Sequence, residues 1–92
     1  MNKKRSRLEV IHDILLVIQQ KDGRIKPTHI LYKSNLSHQM LSEYLAELKE
    51  KGMITEITKG GGKTYSLTQK GYDYINKYKM IKEFITSFGL ED

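Results

Sequence analysis

The chain has 92 residues, no cysteine, one proline and a charged fraction of 29%. That length suits a single core, and the missing thiols exclude disulfides, thiolate metal sites and cysteine nucleophiles. Lys plus Arg number 16 against 11 Asp plus Glu, and the resulting net charge of +5 permits a polyanionic partner.

The first seven positions hold Lys3, Lys4, Arg5 and Arg7 and no acid. Such an opening resembles the basic start of a secretion signal. Glu9, His12 and Asp13 interrupt the apolar run behind it, however, and no small-residue cleavage site follows, so export is not expected. The longest apolar run, Ile14-Leu15-Leu16-Val17-Ile18, is far below the ~20 residues of a membrane span. A first helix is predicted to start at a capping box. Ser6 accepts from the backbone three residues on, and Glu9 reaches back to the Ser6 N–H. Val10, Ile11, Ile14, Leu15 and Ile18 recur at helical spacing and form its buried stripe. Asp22-Gly23 closes it, and Pro27 opens a short second helix through Ile30, Leu31 and Tyr32 that stops at Ser34-Asn35.

Ser37 is the predicted N-cap of a third helix, with Leu36 stapling onto Leu41. Met40, Leu41, Tyr44, Leu45 and Leu48 define its core face, and Gly52 ends it. Two β-type runs follow, Met53 to Thr58 and Lys63 to Leu67, separated by Gly60-Gly61-Gly62 and read as a hairpin with a flexible tip. Thr68 then caps a last helix of about twenty residues, roughly 30 Å long at 1.5 Å per residue. Domain limits follow at 1–67 for the body and 68–92 for the last helix.

Helix, short helix, tight turn, helix and glycine-tipped hairpin is the order of a winged helix-turn-helix, an α+β fold. In that motif the third helix lies in the major groove of DNA, led by its N-terminal residues. Opposite its apolar face lie Gln39, Ser42, Ala46 and Lys49, with His38 beside them. Ser37 stands where backbone N–H groups favour phosphate. Lys33, Lys59, Lys63 and the N-terminal cluster supply phosphate contacts, which makes double-stranded DNA the expected partner. Glu43, Glu47 and Glu50 flank the same helix and support an alternative, a winged helix that binds protein and no DNA.

Enzyme readings fail at each step. Gly62-Lys63-Thr64 resembles the end of a phosphate-binding loop, but Ile57 stands where that motif needs glycine and a strand follows in place of a helix. His12, His29 and His38 lack metal-ligand spacing, and no nucleophile elbow is present. No catalytic residue, metal, cofactor or small-molecule ligand is expected.

The last helix carries Gly71, Tyr74, Tyr78, Ile81, Ile85 and Phe88 at alternating three- and four-residue steps, a heptad seam. Tyr72 and Ile75 lie off the seam and are placed against the body. A helix apolar on two sides needs a cover, and self-association through Tyr74, Tyr78, Ile81, Ile85 and Phe88 supplies one. The alternative is that the helix folds back over its own domain, and the seam does not reveal the orientation of a partner helix.

The runs Ile30-Leu31-Tyr32-Lys33-Ser34-Asn35-Leu36-Ser37, Leu41-x-x-Tyr44-Leu45-x-x-Leu48, Lys51-Gly52-Met53-Ile54 and Tyr65-Ser66-Leu67-Thr68-x-Lys70-Gly71 together resemble one family. It is that of small archaeal winged-helix DNA-binding proteins, the "Sso ten-a" chromatin-associated type with its predicted transcriptional regulators. The basic opening is similar too. The resemblance implies a homodimer joined by its C-terminal helices as an antiparallel coiled coil, with winged domains at the two ends of a rod. It also implies a cytoplasmic, nucleoid-associated protein, either an architectural chromatin component or an operator-directed regulator. The three-glycine wing departs from the family pattern.

Overall fold

The capping signals of the sequence set where the helices begin. In the computed structural model, which describes residues 5–21 and 24–90, α1 is Arg7–Gln20 behind a complete Ser6/Glu9 capping box. Helix α2 is Pro27–Ser34, and α3 is His38–Glu50 with the Ser37 hydroxyl accepting from the Met40 N–H at 3.1 Å. Strands β1 (Ile54–Lys59) and β2 (Gly62–Leu67) form an antiparallel hairpin, and α4 is Gln69–Ser87. The expected close of the first helix at Asp22-Gly23 lies outside the described residues. This is the winged-helix arrangement, and the last helix is long.

The turn between α2 and α3 rests on Asn35, which closes α2 in the left-handed conformation at φ 54°. Arg5 clasps that turn. Its guanidinium donates to the Ser34 carbonyl at 2.6 Å, to the Asn35 carbonyl at 3.3 Å and to Asp13 at 2.7 Å. A cation at the carbonyl end of a helix also complements the helix dipole.

The stripe of α1 packs on Ile30 from α2 and on Leu41, Leu45 and Leu48 from α3, while Met53, Ile54 and Tyr65 close the core from the hairpin. Met40, expected in this core, is 43% exposed, because it sits in the first turn of α3 at the rim of the packed surface. Ile25, which carried no periodic signal, is buried and pairs with Tyr65 in an isolated antiparallel bridge. The bridge adds a third extended segment beside β2.

The hairpin tip is tighter than three consecutive glycines suggest. Gly60 and Gly61 alone make the turn, at φ 59° and 82°, while Gly62 pairs with Lys59 in the ladder. Two successive positive φ values are the requirement of a type I′ hairpin turn, which glycine meets without steric cost.

Helix α4 starts inside the same core. Thr68 caps it by accepting from the Gly71 N–H, and donates its own hydroxyl to the Gly52 carbonyl at the end of α3. Ile75 is buried as expected, whereas Tyr72 faces solvent. Gly71 lies flat against the backbone of Met53, so closely that a Cβ there would run into the Met53 carbonyl oxygen. Substituting Gly71→Ala should therefore destabilise the fold by about 1–3 kcal/mol, the usual cost of overpacking a rigid contact. Urea unfolding measures this, and an unchanged midpoint would contradict the close approach.

Candidate nucleic-acid interface

Helix α3 exposes one polar stripe. Leu41, Leu45 and Leu48 are buried, so His38, Gln39, Ser42, Ala46 and Lys49 are left on the surface at helical spacing. The hairpin lies alongside. Ser42, Leu45, Ala46 and Lys49 from α3 face Glu56, Lys63 and Tyr65 across an open cleft of about 200 Å³. Strand alternation explains the second wall: Tyr65 turns inward to the core, and Lys63, two residues before it, shares that face.

Glu56 is the electrostatic centre of the cleft. Its carboxylate accepts from the Tyr65 hydroxyl at 2.8 Å and from Lys49 Nζ at 3.4 Å, and Lys63 Nζ lies 3.9 Å away. The Tyr65 hydrogen bond, aided by the two lysines, holds the Glu56 carboxyl below its ordinary range. Burial, together with Glu56 itself, pushes the Tyr65 hydroxyl up to about 12.

The structure distributes the remaining candidate residues unevenly. Lys59 is exposed beside the hairpin tip, and Lys33 is exposed on α2. Ser37 serves as the α3 cap, with its hydroxyl proton still available to a phosphate. Arg5 is committed to the α2–α3 turn and to Asp13. Arg7 pairs with Glu47 and lies over the Tyr44 ring, so two of the N-terminal cations have partners within the chain. Lys3 and Lys4 lie outside the described residues.

The seam of α4 divides in two. Gly71 is buried, the Tyr74 hydroxyl donates to the Leu8 carbonyl at 2.8 Å, and Tyr78 stacks on His12 with centroids 4.2 Å apart. This first half packs on α1. Burial raises the hydroxyl pKa of both tyrosines above the ordinary value. Beyond them Met80, Ile81, Phe84, Phe88 and Leu90 are 59–69% exposed, and Ile85 is half-buried. Phe84 and Met80 were absent from the seam read in the sequence. Their four-residue steps to Phe88 are the signal that marks them, and the Phe84 and Phe88 rings touch at 4.9 Å.

Residues 4–86 match the family described as winged helix-turn-helix. The chain belongs to that family. An uncharacterized protein of Methanocaldococcus jannaschii is 35% identical to this winged helix-turn-helix chain, over 79% of each. Sso10a-2, a DNA-binding protein from Sulfolobus solfataricus, superimposes with a TM-score of 0.75 at 24% identity, covering 92% of this chain and 90% of its own. A mutant of the Staphylococcus aureus protein MepR, bound to an oligodeoxyribonucleotide, matches at a TM-score of 0.73 and 18% identity, covering 86% of this chain and 60% of its own. The archaeal resemblance read in the sequence agrees with the first two. The solved neighbours are described as a DNA-binding protein and as a transcription regulator. Among the described residues no cluster of His, Asp and Glu could hold a metal, and no helix is long and apolar enough to cross a membrane.

The Tyr65–Glu56 bond gives this winged helix a pH signature. Tyr65 has a raised folded-state pKa, so its contribution is complete below pH 10.0 and is lost as pH climbs through about 12. Glu56 has a lowered one, so its contribution is present above 4.5 and disappears as pH falls through the folded value. Urea midpoints against pH should form a plateau between these limbs. Tyr65→Phe should show a shallower alkaline limb, with the remainder left to Tyr74 and Tyr78. An alkaline limb as steep as that of the unaltered protein would refute the assignment.

Proposed function

We propose that this chain is a dimeric winged-helix protein that binds double-stranded DNA, as a transcriptional regulator or a chromatin-associated architectural protein. The observation that carries the reading is the shared cleft. Short and hydrogen-bonding side chains of α3 stand on one wall and a lysine of the hairpin on the other, a shape that suits a groove edge beside a phosphate backbone. His38, Gln39 and Ser42 approach base edges, while Lys3, Lys4, Lys33, Ser37, Lys59 and Lys63 contact phosphates, and Arg5 and Arg7 would join them only by leaving their partners within the chain. Sso10a-2 is named as DNA-binding, and the MepR mutant was solved with an oligodeoxyribonucleotide on the same fold. A cytoplasmic, nucleoid-associated location follows from that partner. No small-molecule ligand, cofactor or membrane enters the reading.

The protein-interaction alternative drew on the acidic flank of α3. Arg7 neutralises Glu47, and that weakens it.

A second copy covers the distal half of α4. Met80, Ile81, Phe84 and Phe88 are too apolar and too contiguous to face water. An antiparallel pairing sets each exposed half against its counterpart and leaves the winged domains apart.

Fluorescence anisotropy with a labelled random-sequence duplex tests the first part. Affinity should fall linearly on a log–log salt plot, by about 0.9 in slope for each phosphate contacted. Replacing Lys59 and Lys63 by alanine should weaken all sequences alike and flatten that slope. Absence of binding at low salt would favour the protein-interaction alternative. For the second part, sedimentation should find a dimer that Phe84→Glu combined with Phe88→Glu converts to a folded monomer. A dimer that survives both charges would place the interface elsewhere.

A further inference from the structure

Glu56 occupies an odd place for a carboxylate. It lies in the cleft proposed to receive a polyanion, between the two lysines best placed to bind one. Lys49 ends the exposed stripe of α3, and Lys63 is the second residue of the return strand, beside the hairpin tip. Both lysine side chains are more than half exposed, at 51% and 57%, whereas that of Glu56 is 20% exposed.

Mobility differs in the same sense. Lysine is a point charge on a flexible four-carbon stem, free to swing towards a phosphate. The Glu56 carboxylate is held by the Tyr65 hydroxyl, and Tyr65 is itself buried and tied through its backbone N–H to the Ile25 carbonyl at 3.1 Å. The lysines are the exposed partners within reach of a phosphate, and the carboxylate is the tethered one. Each lysine that transfers to phosphate leaves Glu56 less neutralised, within a Debye length of about 8 Å of an incoming backbone.

We infer that Glu56 sets the affinity of this face for DNA by competing with phosphate for Lys49 and Lys63, so that the protein holds a duplex more loosely than its lysines alone would. The inference rests on the duplex-binding reading above and names the residue that regulates it. The remaining charges agree with the assignment. Glu47 on α3 is already matched by Arg7, whereas Glu56 faces two cations from two different walls of the cleft. The structural role of Glu56, accepting from Tyr65, needs only an oxygen. The charge can therefore be removed with that hydrogen bond kept, at the cost of the stability the carboxylate adds above pH 4.5.

Glu56→Gln makes that separation, since the amide oxygen still accepts from the Tyr65 hydroxyl. Anisotropy on the full chain with a random-sequence duplex should show binding about threefold to tenfold tighter, a range set by the release of two exposed ion pairs. The log–log salt slope should steepen by up to about one, as Lys49 joins Lys63 among the phosphate contacts. In a Lys49→Ala/Lys63→Ala background the same substitution should gain less than about twofold, because the coupling between neighbours has been removed. Urea unfolding checks that the glutamine variant remains folded, and Glu56→Gln in a Tyr65→Phe background, which leaves no hydroxyl in need of an acceptor, gives the same readout if it does not. Equal affinity of Glu56→Gln and the unaltered protein would overturn the inference while leaving DNA binding intact. So would a gain undiminished in the Lys49→Ala/Lys63→Ala background, which would show only an overall charge effect. Loss of salt-sensitive binding in the unaltered protein itself would remove the functional reading and this inference with it.

Discussion

The hairpin of this protein is tied at three levels through Tyr65. Tyr65 is buried among the core residues, its N–H donates to the Ile25 carbonyl, and its hydroxyl donates to Glu56 across the hairpin. Because side chains alternate along a strand, burying Tyr65 also decides where Lys63 points. Ile54 and Glu56 share a face of β1 for the same reason, with Ile54 in the core and Glu56 further out. The sheet thus grades from apolar to charged as it leaves the body of the domain. The charged end is the part that lines the cleft beside α3. Tyr65 thus joins Met53 and Ile54 in fixing the hairpin beside the helix it accompanies.

Local chemistry made much of this architecture legible. Ser6 with Glu9, Ser37 and Thr68 each announce a helix start through a side-chain oxygen and a backbone N–H nearby in the chain, and each caps a helix in the fold. The buried stripe of α1 likewise depends only on spacing along one helix. What could not be read needed partners far apart in sequence. Arg5 and Ser34 are 29 positions apart, and Arg7 and Glu47 are 40 apart, so a basic cluster that suggests free charge is partly engaged inside the fold. Ile25 stands between Arg24 and Lys26 and offers no pattern, although it anchors β2. Glu56 was invisible for the same reason, since its importance comes from α3 and β2 meeting around it.

The last helix shows how one periodic pattern can serve two purposes. Its heptad spacing is uniform, yet Tyr74 and Tyr78 turn onto α1 while the residues beyond them project past the body of the domain. Spacing describes a helix face and says nothing about how much of that face the rest of the chain can reach. The contacts of α4 with α1 fall at Leu8 and His12, and Ile81, Phe84 and Phe88 beyond them stay exposed.

Gly71 gives that projecting helix a mechanical character. The root of α4 is seated closely against the Met53 backbone, and the Tyr74 and Tyr78 contacts brace the next two turns. A 19-residue helix is a lever arm of about 28 Å. Tilting it by about 10° at the root would swing its far end by roughly 5 Å, close to one helical turn. A stiff root therefore acts as a ruler: whatever the far end grips is kept at a fixed distance and bearing from α3. The smallest side chain in the protein, at the foot of its longest helix, governs the reach of the molecule.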